Sequence, residues 1–213
     1  SFDATVIGNG AEGIIPNAGF HTHTPTIAPS TAEILWQDYT TIVTDVNLTP
    51  EGRVTFAATG SEGNALISVK DTSGTILWSW HIWSTDEPVD HKYINHYGQK
   101  ITVQDRNLGA ISAVRGTGDQ WRESVGLHYQ WGRKDPFLGR YAQYKYTKAT
   151  STGTFNYIDS SSEIYGTIEY STEHPTTFIM TNYTNYDWLY INNSVATDTT
   201  RWSTEKTIYD PCP

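Results

Sequence analysis

A mainly β fold with an antiparallel β-sandwich at its front is what this sequence predicts, on three observations. Residues suited to a pleated, half-buried surface are abundant: 13% of the 213 residues are aromatic, and Thr, Tyr and Trp pack well across neighbouring strands. Strong helix formers are scarce, with one Met and few runs of Ala, Leu, Glu or Lys. Residues 53–83 alternate in side-chain character between tight turn signals, which is the period-two signature of strands.

The first fifty residues are interrupted by Gly8-Asn9-Gly10, Pro16-Asn17-Ala18-Gly19, Pro25 and Pro29, leaving short extended segments at 4–7 and 41–46. Residues 28–36 can form at most a short capped helical turn, because β-branched Ile34 and the following Gln37-Asp38 limit it. The strand at 53–59 ends at Gly60-Ser61-Glu62-Gly63. Residues 64–70 place Ala65, Ile67 and Val69 on one face and Leu66, Ser68 and Lys70 on the other. Asp71-Thr72-Ser73-Gly74 supplies a turn with Gly at the position needing positive φ. Residues 75–83 put Ile76, Trp78, Trp80 and Ile82 opposite Thr75, Leu77, Ser79 and His81. Three strands so closely spaced predict an antiparallel meander, one sheet of the sandwich.

Ser84-Thr85-Asp86-Glu87-Pro88 marks a boundary, since Pro88 has no N–H for a ladder and the acidic run belongs in water. It divides a sandwich-like unit, residues 1–88, from a second unit, residues 89–213. That unit opens with a short hairpin, 93–97 and 101–104, turning around Gly98. A helix is expected over 119–133, capped by Asp119, with Trp121, Val125, His128, Tyr129 and Trp131 near one face. Gly126 weakens it by about 1 kcal/mol relative to Ala. Residues 147–162, rich in Thr, Ser and Gly, read as a long exposed loop, and 163–213 as coil with short strands.

The formal charge of −9 and the absence of any Lys/Arg cluster argue against nucleic acid as a partner. The longest basic stretch, Arg133-Lys134, stands next to Asp135. No apolar run approaches the ~20 residues needed to span a bilayer. Cys212, the only cysteine, leaves no internal disulfide and no Cys-rich zinc site. The chain starts at Ser1 without Met or a signal peptide, as a processed product or an excised segment would.

Three motifs occur in order: Thr75-Ile76-Leu77-Trp78-Ser79-Trp80-His81-Ile82-Trp83, Asp105-Arg106-Asn107-Leu108-Gly109-Ala110, and residues 126–137, Gly-Leu-His-Tyr-Gln-Trp-Gly-Arg-Lys-Asp-Pro-Phe. Together with Val6-Ile7-Gly8-Asn9-Gly10 and Leu35-Trp36-Gln37-Asp38 they resemble a Bacteroidetes surface family, the fimbrillin-like proteins with a Fibrobacter-type major paralogous domain. The resemblance implies a β-sandwich followed by a C-type-lectin-like α+β domain. It also implies that this second domain lacks its C-terminal part at Pro213, and that a partner for Cys212 lies downstream. The function it implies is that of a non-enzymatic adhesion or pilus-tip protein, exported to the bacterial cell surface, outer membrane or fimbrium. Expected partners are a host or bacterial glycan or protein, and pilus subunits joined by β-strand addition. The second reading is a surface glycan-binding module for nutrient capture, and the third a degenerate enzyme-like domain.

No catalytic residues, metal ligands or cofactor are expected. Formylglycine-generating relatives of the lectin-like fold need a metal-binding cysteine pair, which a single Cys212 cannot supply. The Gly-x-Ser-x-Gly pattern of a nucleophile elbow is absent, the nearest approach being Gly60-Ser61-Glu62-Gly63. His21 and His23 alternate but lack a third ligand, and Asp86, Glu87, Asp90 and His91 lack the glycine and spacing of a Ca²⁺ loop. Asp105 with Arg106 reads as a pair fixing the Asn107-Leu108-Gly109 turn. Trp78, Trp80, Trp83, Tyr129 and Trp131 read as packing residues. The aromatic and amide mixture of Asn182, Tyr186, Asp187, Trp188 and Tyr190, with Tyr183, Asn185 and Asn192 nearby, is the ligand site expected from sequence. Such rings stack on a pyranose while amides and carboxylates hold its hydroxyls.

Overall fold

A computed structural model describes residues 1–8, 26–38, 41–117, 120–138, 155–180, 187–190 and Trp202. The protein is mainly β, with several antiparallel sheets and almost no helix. One three-stranded sheet has the order β1 (Phe2–Asp3), β4 (Arg53–Ala58), β3 (Val43–Leu48). The other runs β2 (Thr31–Gln37), β5 (Gly63–Lys70), β6 (Ile76–Ser84). Residues 28–36 thus contain a strand rather than a helical turn. β2 pairs antiparallel with β5, Thr31 opposite Lys70 and Ile34 opposite Ile67, and these ladder bonds outweigh a marginal local helical preference.

Strands β4 and β5 lie in different sheets, so the expected three-strand meander is corrected: β4 pairs with β3, and of that meander only the β5–β6 hairpin forms. Its turn closes on Asp71, whose carboxylate Oδ1 accepts from Ser73 N and Thr75 N, both at 2.9 Å, with Gly74 at φ +89°. Ala65, Ile67 and Val69 meet Ala4, Ile42, Val43 and Val54 of the first sheet's segments in one core cluster. The opposite face of β5 is covered too. Leu66 is buried with Trp36 and Leu138 in a second cluster, so β5 is closed on both sides, a burial that favours the run of small and branched apolar residues it carries. Each fully buried Leu, Ile or Val contributes about 1.5–3 kcal/mol.

Later residues help to cover that second face, with Leu127, Leu138 and Phe155 packing there beside Trp36. After the hairpin β7 (Asp90–Ile94) and β8 (Lys100–Gln104), the helix expected at 119–133 is limited to α1 (Gln120–Glu123). The physical reason is Gly126. Its φ of +74° ends helical geometry, and a Cβ there would lie 2.6 Å from Leu108 O. Asn107 Nδ2 donates to Ser124 O and Val125 O, taking carbonyls a longer helix would use itself. Residues 128 and 137 then bridge, His128 N donating to Phe137 O at 2.8 Å and Phe137 N to His128 O at 2.7 Å.

The described residues from 155 onwards add one helix and two short strands. β9 (Asn156–Ile158) pairs parallel with β10 (Thr177–Ile179), across α2 (Ile168–Glu173). Thr167 caps α2 by accepting from Tyr170 N at 3.0 Å. Ile168, Ile179, Trp188 and Leu189 form a third cluster with Trp78 and Ile7. The two units drawn at residue 88 therefore share buried side chains.

Candidate functional site

Two polar groupings and one cleft carry the chemistry of the described residues. The first grouping is buried between β6 and the segment 130–137. The basic pair Arg133-Lys134 is inside the protein, with Arg133 only 1% exposed. Arg133 Nη1 donates to Gln130 Oε1 at 2.8 Å and Thr177 O at 2.7 Å, and Nη2 to Ser171 O at 3.3 Å and His174 O at 2.9 Å. It thereby satisfies carbonyls at the C-terminal end of α2, which helical bonding leaves open. Burial pulls its pKa down to about 10, against the opposing pull of Asp135. Gln130 works in parallel, donating to Ile179 O at 2.7 Å and accepting from Ile179 N at 3.2 Å. Lys134 Nζ reaches Ser79 Oγ at 2.5 Å and Asp135 Oδ1 at 2.7 Å, and lies 4.3 Å from the Trp78 ring centroid. Burial lowers the Lys134 pKa, while Asp135 opposes the shift. These residues act as scaffold, fastening residues 130–137 to α2, β10 and β6.

The second grouping is a hydrogen-bonded chain. Asp38 Oδ2 accepts from Asn64 Nδ2 at 2.6 Å, and the same amide donates to Gly109 O at 2.9 Å. Asn64 Oδ1 then faces His81 Nε2 at 2.8 Å, which requires the proton on Nε2, and His81 Nδ1 faces the Tyr129 hydroxyl at 3.4 Å. Burial lifts Asp38 to about 6 and drops His81 to about 4.

The cleft is a cavity of about 430 Å³ open to solvent, within the usual range for small-ligand sites. Its lining includes Gln104, Asp105, Arg106, Asn107, Arg115 and Trp121. The wall is braced from several sides. Arg106 Nε donates to Asp105 Oδ1 at 2.8 Å and Nη2 to Asp105 Oδ2 at 3.1 Å, while Nη1 reaches Thr85 Oγ1 at 3.1 Å and the Asp86 carboxylate. The Arg106 side chain is 4% exposed. Its hydrogen bonds hold the carboxyls of Asp105 and Asp86 below their usual pKa, and theirs raise that of the guanidinium. Asp105 and Arg106 do pair, tied through Arg106 to Thr85 and Asp86, and both line the cleft. Ile111 N and Ser112 N donate to Glu123 O at 2.9 and 3.1 Å, tying the far wall to α1.

Of the ligand site expected from sequence, the described residues Asp187 and Trp188 are buried. Trp188 is 2% exposed, with its Nε1 donating to Trp131 O at 2.7 Å, and Asp187 is 4% exposed with its Oδ1 accepting from Leu189 N. Trp188 is a core residue because Ile168, Ile179 and Leu189 enclose its indole. Tyr190 is half-buried. Asn182, Tyr183, Asn185, Tyr186 and Asn192 lie outside the described residues, as do His21, His23 and Cys212. Trp78 is buried and Trp80 and Trp83 half-buried, but Trp131 is 41% exposed, its ring 4.9 Å from that of Trp202. Sequence reasoning missed Arg115 and Trp121 as cleft residues. The one signal was the Asp-Arg-Asn turn, which sets where the cleft opens. Comparison of the chain with protein-family models, curated proteins and solved structures finds no match.

Proposed function

We propose that this chain is a non-enzymatic adhesion or pilus-tip protein of the bacterial cell surface, binding glycan in the cleft between the Asp105–Ala110 turn and α1. In this reading the two three-stranded sheets with their common core make up the sandwich expected of residues 1–88, and the later elements a lectin-like unit. The observation that carries the proposal is the cleft itself. It is open, about 430 Å³ in volume, and combines an indole with guanidinium, amide and hydroxyl groups on a braced frame. That is the mixture a saccharide needs, since a pyranose offers an apolar face for a ring and hydroxyls for polar partners. The titratable groups with the largest burial shifts, Asp38, His81 and Arg133, have in-chain partners and none of them lines the cleft. This distribution favours binding over general acid–base chemistry.

A broad glycan array, read with and without Ca²⁺ for wild type and Trp121→Ala, tests the proposal. Specific binding that is lost in the variant supports it. Binding that survives the substitution, or an array that stays blank, overturns the cleft as a glycan site. Trp188→Ala is unsuited to this test because that indole holds the core. Mass ladders of linked subunits in surface preparations would favour a pilus role over nutrient capture.

A further inference from the structure

The charged groups of the cleft differ in what they can still bind. Asp105 and Arg106 are committed to one another, and Arg106 also engages Thr85 and Asp86. The Asn107 amide nitrogen donates to Ser124 O and Val125 O, and Ser124 Oγ donates to Trp121 O at 2.9 Å. Arg115 is different: it lines the same cleft, is exposed, and has no hydrogen-bond or ion-pair partner among the described residues. The Gln104 side-chain amide is likewise unengaged among them. The turn leading to Arg115 is itself held, with Ser112 Oγ accepting from Val114 N at 3.1 Å. Among the described residues that line the cleft, Arg115 is therefore the charged group without a partner, on a chain of net charge −9 that repels extended polyanions. A guanidinium offers a planar fork of N–H donors matched to one carboxylate.

From this we infer that the cleft takes an acidic saccharide, a uronic- or sialic-acid type of sugar. Its carboxylate lies against Arg115, its ring along Trp121, and its hydroxyls within reach of the Gln104 amide. The inference rests on the glycan reading above, and the test separates the two. Acidic oligosaccharides and their carboxyl-reduced counterparts are titrated calorimetrically into wild type, Arg115→Gln and Trp121→Ala. Reduction removes the charge and keeps the ring. The acidic member should bind about tenfold more tightly, with an advantage that shrinks at high salt and vanishes in Arg115→Gln.

Equal binding of both members, abolished by Trp121→Ala, would sink the acidic preference and leave the glycan site standing. Binding of neither, or binding indifferent to Trp121, would remove the site and this inference with it. Melting curves of each variant guard against loss of fold, and Trp121→Leu replaces the Ala variant if that one unfolds.

Discussion

Asp38→Asn is expected to stabilise this protein at neutral pH and to leave it unchanged in acid. Asp38 follows β2 and is largely buried; desolvation raises its pKa from 3.8 to about 6, more than the Asn64 bonds lower it. A folded-state pKa above the unfolded one means that the proton stabilises the fold. That stability is fully present below pH 3.8 and lost as pH rises through about 6. A rise of some two pKa units corresponds to about 3 kcal/mol, and residual exposure reduces the expected gain of the neutral amide to about 2 kcal/mol. The Asn side chain can still accept from Asn64 Nδ2, so the hydrogen bond survives. His81 works in the other direction. Its pKa falls from 6.5 to about 4, so its contribution is present above 6.5 and lost as pH drops towards 4. In wild type the two slopes oppose each other, and Asp38→Asn uncovers the His81 slope. Urea unfolding at intervals from about pH 4 to pH 7.5 measures this directly. The variant's advantage should be near zero at the acid end and grow with pH. An advantage independent of pH, or none at pH 7.5, would refute the burial argument.

Two further variants probe the frame. Arg133→Met removes the partner of four acceptors, among them the Ser171, His174 and Thr177 carbonyls, and should cost about 3–5 kcal/mol by chemical unfolding. Gly126→Ala forces a side chain into left-handed backbone against Leu108 O and should lower stability by at least about 1–2 kcal/mol, seen as an earlier thermal transition.

How far the sequence reveals the fold depends on where each element's partners lie. The alternation in β5 was legible because it is local: Ala65, Ile67 and Val69 share one core cluster, and Leu66 lies in another. The Asp71 turn and the hairpin around Gly98 were legible for the same reason, as was the Asp105–Arg106 pair between adjacent residues. Residues 28–36 and 119–133 were misread because distant groups overrule their local preference. Strand β2 is decided by pairing across some thirty residues with β5, and the end of α1 by Asn107 and Leu108 pressing on Gly126. The burial of Trp188 was not legible, because composition cannot distinguish an indole that stacks on sugar from one packed with Ile168, Ile179 and Leu189.

The sequence by itself determined the mainly β character, the turn positions and the two-faced strands, since each depends on backbone propensity and side-chain period within a few residues. Only the tertiary structure decided which strands share a sheet and that both faces of β5 are buried. It also turned Arg133, a surface charge in any local reading, into the support of α2, and left Arg115 without a partner among the described residues of the cleft. Those outcomes follow from desolvation and pairing among groups far apart in the chain, and the energies involved outweigh the local preferences that a sequence displays.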